Sequence, residues 1–270
     1  MKISGSSFLR QKKSGRPITM LTAYDFPSAR ILSQSGVDVI LVGDSVGTNV
    51  LGYSHERQVT MDDMLHHAAA VCRGAGGVPV FADMPYRSYA TPSLALKNAI
   101  RFVKSGAGAV KMEGGSTIIK QIALLRNNGI PVCGHLGYLP QSCPRPRVVG
   151  KTPEEATRLV HDALALEKAG AFMVVLEMVP MQLAQYITKL LSIPTIGIGA
   201  GPYCDGQVLV WHDMLGLSPV IFRHVKTFAN GKEIISKAVS QYILDVRKRR
   251  FPTAANSSKL DENILAELDI

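Results

Sequence analysis

Asp44 with Ser45, Asp83, Lys111 with Glu113, His135, and Glu177 are the residues of this chain best equipped for chemistry, and each ends a short apolar run. The runs are VDVILVGD, VPVFAD, AGAVKME, IPVCGH and AFMVVLE. Carboxylates at the ends of separate strands make a hard, all-oxygen donor set of the kind that holds Mg²⁺, with waters and a substrate filling the other positions. Asp44, Asp83 and Glu113 fit that description. Any one of them alone reads better as a cap on the helix that follows its strand; the three together favour a metal. Lys111 lies two residues before Glu113, so both side chains share a strand face. A buried lysine needs an anion: Glu113 or another carboxylate in a structural pair, or a carboxylate or enolate oxygen of a substrate. Glu177 closes an otherwise apolar strand, where burial would tune a carboxyl group for proton transfer. Its plainer reading is a partner for a backbone amide or an arginine. His135 is a base, a ligand or a hydrogen-bonded wall of the pocket, and ranks below Glu177.

The elements that must position these residues repeat as helix, glycine stop, buried strand. Gly36, Gly77, Gly106, Gly129 and Gly170 each precede one of the runs, as expected of glycines that end helices in the left-handed conformation. Continuous β-branched runs mark strands buried on both faces. Helix starts are read at Thr60 with Asp63, at Thr91-Pro92 and at Thr152-Pro153-Glu154-Glu155, which combines a cap, a first-turn proline and a capping box. Adding PITMLTAY at 17–24, IPTIGIG at 193–199 and a weaker QVLVWH at 207–212 brings the strands to eight. Eight parallel strands alternating with helices close into an α/β (β/α)₈ TIM barrel; a doubly wound sheet would show fewer strands and a nucleotide-binding glycine turn after the first. In a barrel all strands present their carboxyl ends on one face, which gathers the chemical residues into one pocket.

A chain of 270 residues, 46% apolar, suits one such barrel over 1–251. Residues 252–270 read as a tail: a linker, TAANSSK, then a short amphipathic stretch, DENILAELDI, that docks on a partner subunit or stays mobile. No apolar run reaches membrane-spanning length and no signal-type stretch follows the charged N-terminus, so a soluble, unprocessed protein is expected. Cys72, Cys133, Cys143 and Cys204 have neither CxxC spacing nor a dense framework, which suits a reducing, cytoplasmic setting. The net charge of +9 is spread along the chain, and at 6% the aromatic residues are too few to serve as stacking platforms, which excludes a nucleic-acid binder. The one basic cluster, Arg247 to Arg250, suits a helix C-terminus. GIGAG at 197–201 permits close backbone approach, by phosphate for example, but lacks the dinucleotide fingerprint.

TAYD at 22–25, LVGDSVG at 41–47, ADMPYRSYATP at 82–92, VKMEGG at 110–115, PVCGHLGYLPQS at 131–142, LEMVP at 176–180 and IPTIGIGAGPYCDGQVLVWHDMLGL at 193–217 stand in order along roughly residues 8–250. Together they resemble the signature blocks of the ketopantoate hydroxymethyltransferase family. The resemblance implies a barrel of the phosphoenolpyruvate/pyruvate type, Mg²⁺, and a cytoplasmic homo-oligomer, commonly a decamer. The implied reaction is the first step of pantothenate synthesis: a one-carbon unit passes from 5,10-methylenetetrahydrofolate to 3-methyl-2-oxobutanoate, giving 2-dehydropantoate. Carried over by motif, Asp44, Asp83 and Glu113 match the metal positions; Asp44, Ser45, Asp83 and Lys111 match the ketoacid positions; Glu177 matches the proton acceptor. His135 joins the substrate-binding candidates.

One stretch departs from the pattern. After PQS, family members carry a glycine-rich turn and a YKVQG-like segment, whereas this chain has the shorter CPRPRVVGKT, without the tyrosine and the glutamine. If that loop covers the site or contacts folate, closure or cofactor affinity would differ. Two alternatives of other kinds are a metal-dependent 2-oxo-acid lyase or aldolase, which would turn over without folate, and a non-catalytic ligand-binding barrel, against which the complete polar set argues.

Overall fold

The computed structural model describes residues 5–143, 145–218, 220 and 222–267. Residues 268–270 of the tail and Pro144 of the departing loop lie outside that range. Eight strands form a closed parallel barrel in chain order: β1 Ile18–Thr22, β2 Val39–Val42, β3 Val80–Asp83, β4 Ala109–Glu113, β5 Val132–Gly137, β6 Met173–Glu177, β7 Thr195–Ile198 and β8 Gly206–Leu209, with β8 returning to pair with β1. The expected (β/α)₈ architecture is present, and the eighth strand is shorter than the sequence pattern suggests, because Trp211 already begins a helix.

The helices are α1 Gly5–Ser14, α2 Phe26–Gln34, α3 Val46–Asn49, α4 Met61–Gly74, α5 Pro92–Lys104, α6 Ile119–Asn127, α7 Pro153–Ala169, α8 Met181–Leu190, α9 Trp211–Met214, α10 Gly231–Arg247 and α11 Glu262–Ala266. Their boundaries follow local chemistry. Thr60 and Asp63 form a full capping box at α4, and Thr91 accepts from Leu94 N–H at α5. At α7 Thr152 accepts from Glu155 N–H, but the reciprocal half of the expected box is absent: the Glu155 carboxylate instead takes the N–H groups of Gly150 and Lys151. The glycine before each of the five buried runs has positive φ, from +73° at Gly129 to +105° at Gly106, as helix-ending glycines require.

Strand alternation divides the packing in two. Outward residues such as Ile40, Ala82, Val110 and Leu176 pack beneath the helices, while inward residues fill the barrel. Near the amino ends of the strands the filling is apolar: Ile18, Val39, Phe81, Met173 and Ile196, closed off by Phe8 from α1. The Phe8 ring meets Phe81 edge-on at 6.1 Å. Lys12 fastens α1 across the barrel floor, its Nζ 2.8 Å from both Asp205 Oδ2 and the Thr188 carbonyl. The same inward parity, followed to the carboxyl ends, reaches the polar residues.

α10 behaves differently from the rest of the ring. None of its residues is buried, and Ile234, Ile235, Val239, Tyr242 and Ile243 are exposed on it.

Candidate active site at the carboxyl ends of the strands

Register brings the charged residues together. Asp83 on β3 is the Cα partner of Lys111 on β4, and Glu113 is the partner of His135 on β5. Side chains of paired residues lie on the same face, so Lys111 Nζ stands 3.0 Å from Asp83 Oδ1 and 3.3 Å from His135 Nδ1. The lysine's anion within the protein is therefore Asp83. The other Asp83 oxygen, Oδ2, accepts the Asp44 backbone N–H at 3.1 Å. His135 is flanked by acids: Nδ1 is 3.5 Å from Glu113 Oε1, and Nε2 is 3.2 Å from Glu177 Oε2. All seven residues predicted from sequence lie at this mouth, and Asp44, Asp83, Lys111, Glu113 and His135 are buried.

Glu177 departs from its expected burial. Its side chain is 20% exposed, because β6 ends at the rim, so a ligand in the mouth can reach the carboxylate. Ser45 starts α3 and its hydroxyl lies 2.8 Å from the Tyr24 hydroxyl, which takes a hydrogen bond from Thr22. The barrel mouth stays open at Gly43, the inward position after Leu41: a Cβ there would sit 2.9 Å from Ser45 Oγ and 3.6 Å from Asp83 Oδ2.

Electrostatically the pocket is short of positive charge. Burial, then the neighbouring Asp83 and Glu113, push the Asp44 carboxyl well above the ordinary carboxylate range. Burial raises Asp83 as well, with Lys111 opposing. Burial works against the Lys111 charge, but Asp83, Glu113 and Asp44 overcome it and keep the ammonium protonated. For His135, burial and Lys111 both oppose protonation; Glu113 and Glu177 outweigh them and hold it up at about 9.

The donor set fits a hard divalent cation that keeps part of its water shell. Glu113 Oε1 is buried and takes no close hydrogen bond, His135 Nδ1 standing 3.5 Å away, and the cradle at Gly43 is edged by oxygens. Among the described residues no three His, Cys, Asp or Glu side chains close into a complete cage. Mg²⁺ does not ask for one: it commonly takes one or two carboxylates and fills its octahedron with waters and substrate oxygens.

Gln141 was not foreseen as a site residue, although it stands in the resembling PQS block. It is 2% exposed and touches both Asp44 and Glu113. Tyr24 and Tyr89 were missed likewise; their hydroxyls meet Ser45 and Gln141. The GIGAG glycines serve internal packing: a Cβ on Gly201 would lie 2.6 Å from Met181 Cγ, and one on Gly199 3.1 Å from the His224 ring.

A closed parallel barrel whose acids, lysine and histidine meet at the carboxyl ends of the strands defines an α/β-barrel enzyme. The chain matches the family model for ketopantoate hydroxymethyltransferase over residues 2–254, and it belongs to that family. It is 52% identical to 3-methyl-2-oxobutanoate hydroxymethyltransferase of Acetivibrio thermocellus, covering 99% of this chain and 97% of that protein. Its identity to the enzyme of the same name from Chloroflexus aurantiacus is 49%, covering 98% and 96%. Among solved structures it is similar in fold to a phosphonopyruvate hydrolase complexed with oxalate and Mg²⁺, with a TM-score of 0.63 at 14% identity over 97% of this chain and 93% of the other. A phosphoenolpyruvate phosphomutase from Streptomyces platensis subsp. rosaceus gives 0.61 at 15% identity, covering 97% and 94%. At such identities these likenesses speak for the fold alone.

Proposed function

We propose that the chain transfers a hydroxymethyl unit from 5,10-methylenetetrahydrofolate to 3-methyl-2-oxobutanoate, giving 2-dehydropantoate and tetrahydrofolate for pantothenate synthesis. The observation that carries this reading is the charge imbalance of the mouth: the acids Asp44, Asp83, Glu113 and Glu177 gather there around two bases, Lys111 and His135. Asp44 and Asp83, with Glu113 beside them, would hold Mg²⁺, which supplies Lewis acidity to the 2-oxo acid.

The remaining roles follow from the chain's own groups. Lys111 has three N–H donors; one faces Asp83, and another is available for the oxygen where enolate charge develops. Ser45, with Asp44 and Asp83, borders the space for the ketoacid carboxylate, and His135 forms its wall. Glu177, at the accessible rim and oriented by His135, takes the C3 proton. The C3–H electron pair becomes the enolate, whose C3 then bonds to the methylene carbon. One methylene C–N bond breaks as C3 bonds to that carbon, and water displaces the second nitrogen and supplies the hydroxyl oxygen. Both C–N electron pairs stay on the tetrahydrofolate nitrogens, which take up the C3 proton and one proton of the water.

Incubation of the purified protein with ketoacid, Mg²⁺ and methylenetetrahydrofolate tests the reading by NMR. Folate-dependent 2-dehydropantoate is the expected product. Turnover of 2-oxo acids without folate would replace the transferase with a lyase, a reading that has only the shared fold in its favour. No product, despite ketoacid binding, would leave a ligand-binding barrel.

We also propose a homo-oligomer, a decamer by resemblance, with α10 at a contact between copies. A helix with exposed Ile234, Ile235, Val239, Tyr242 and Ile243 needs an apolar partner. Tyr186 and Leu190 on α8 and Ile31 on α2 offer exposed apolar surface on a second copy. Sedimentation of a single monomeric species at micromolar concentration would refute it. A reducing cytoplasm suits the four free cysteines. Among the described residues no helix is long and apolar enough to cross a membrane.

A further inference from the structure

Gln141 sits in the loop after β5, where the turn at Leu139 folds the chain back over the mouth: both Ser142 and Cys143 donate N–H to the Leu139 carbonyl. Every polar group of this buried residue is engaged. Its side-chain Nε2 donates to Asp44 Oδ2 at 2.7 Å and to the Met84 carbonyl at 3.0 Å. Its Oε1 accepts from the Tyr89 hydroxyl at 2.6 Å. The backbone N–H donates to Glu113 Oε2 at 3.1 Å, and the backbone carbonyl accepts from Arg57 Nε at 2.8 Å. An amide has two donors and one acceptor oxygen in a fixed plane, so the Tyr89 and Met84 contacts allow a single orientation of the group.

We infer that Gln141 is a positioning residue, which turns Asp44 and Glu113 so that one oxygen of each is held by the protein and the other faces the cation or its water. The inference rests on the cation site proposed above. Three features favour this role over plain loop packing. One residue bridges two acids that stand far apart in the chain, one through its side chain and the other through its backbone. The bonds fall on Asp44 Oδ2 and Glu113 Oε2, while Glu113 Oε1 takes no close hydrogen bond, His135 Nδ1 standing 3.5 Å away, and so has room for another partner. The clamp is also neutral: it holds the acids without cancelling the negative charge that attracts a cation, as a lysine would, and without adding a further acid. Partners that orient metal-binding groups from behind typically change metal affinity by about 10- to 100-fold when removed.

The test is a Mn²⁺ titration of the full-length protein without substrate, followed by electron paramagnetic resonance, alongside kcat and KM. Gln141→Met keeps the volume and the backbone N–H bond to Glu113 but removes the side-chain clamp. Its Mn²⁺ dissociation constant is expected to rise about tenfold, a larger change than that in kcat at saturating metal. Tyr89→Phe, which removes the hydrogen bond to the amide oxygen and a longer one to the Glu113 carbonyl, is expected to shift the constant in the same direction by about threefold, and Gln141→Asn to weaken binding less than Gln141→Met. A folded Gln141→Met or Tyr89→Phe protein that binds Mn²⁺ as the wild type does would overturn the inference and leave the cation site standing. Wild-type protein that fails to bind Mn²⁺ would overturn the cation site, and this role with it.

Discussion

The two ends of the barrel are built by the same strands with the same inward parity, yet they are chemically opposite. At the amino ends, Phe8, Phe81, Met173 and Ile196 make a dry plug. One or two inward positions further along, β3, β4, β5 and β6 carry Asp83, Lys111 with Glu113, His135 and Glu177. The plug lowers free energy by removing apolar surface from water, whereas the mouth gathers buried like charges that only a proton or a cation can neutralise. Stability and chemistry are thus separated along one axis, and perturbing either end should leave the other largely intact.

Asp83→Asn is the largest expected perturbation of the mouth. It deletes a charge from the cation set and the ion-pair partner of Lys111. Activity should fall by about a thousandfold, the scale of losing a main electrostatic group, and metal-dependent ketoacid binding should disappear while the circular dichroism spectrum remains native. Unchanged Mg²⁺ dependence in the variant would remove Asp83 from the metal set.

Phe8→Ala perturbs the plug instead. Loss of a buried aromatic ring costs about 3–5 kcal/mol, so denaturant unfolding should shift strongly, while kcat measured below the transition stays within about twofold of wild type, additivity being the rule for distant sites. A large drop in kcat in folded protein would show that the two ends are mechanically coupled.

The smallest effect concerns pH. Without a cation, Asp44 has a folded-state proton affinity above its unfolded one, through burial and its acidic neighbours. Its contribution to stability is full below the unfolded value of about 4 and is lost as pH rises through the raised folded value. His135, held at about 9, acts in the same direction at higher pH. Mg²⁺ would take over the neutralising role, so the gain in melting temperature on adding it should grow between about pH 5 and pH 8. Calorimetry in which the gain shrinks over that range would contradict the assignment.

Much of this division could be read from residues alone. The glycine stops, the threonine caps and the polar residue at each strand end are local signals, and parity correctly put Lys111 and Glu113 on one face. The parts that escaped depend on how loops return over the barrel. Nothing local tells that Gln141 turns back onto Asp44 and Glu113, that Tyr24 meets Ser45, or that Phe8 stops the barrel floor. Glu177 was expected to be buried because its strand is apolar, but a strand's last residue takes its exposure from the rim. The apolar face of α10 was likewise invisible as a bare surface, since an amphipathic pattern does not say which body the helix covers.

The central claim is that the charged mouth removes the C3 proton of the ketoacid. Its most direct test is the loss of the C3 proton signal of 3-methyl-2-oxobutanoate in deuterium oxide, without folate, for wild type and Glu177→Gln, with and without Mg²⁺. Exchange that needs Mg²⁺ and slows by about a hundredfold or more in Glu177→Gln is the predicted result. Exchange indifferent to both, or no exchange by folded wild-type protein supplied with the cation, would contradict the account.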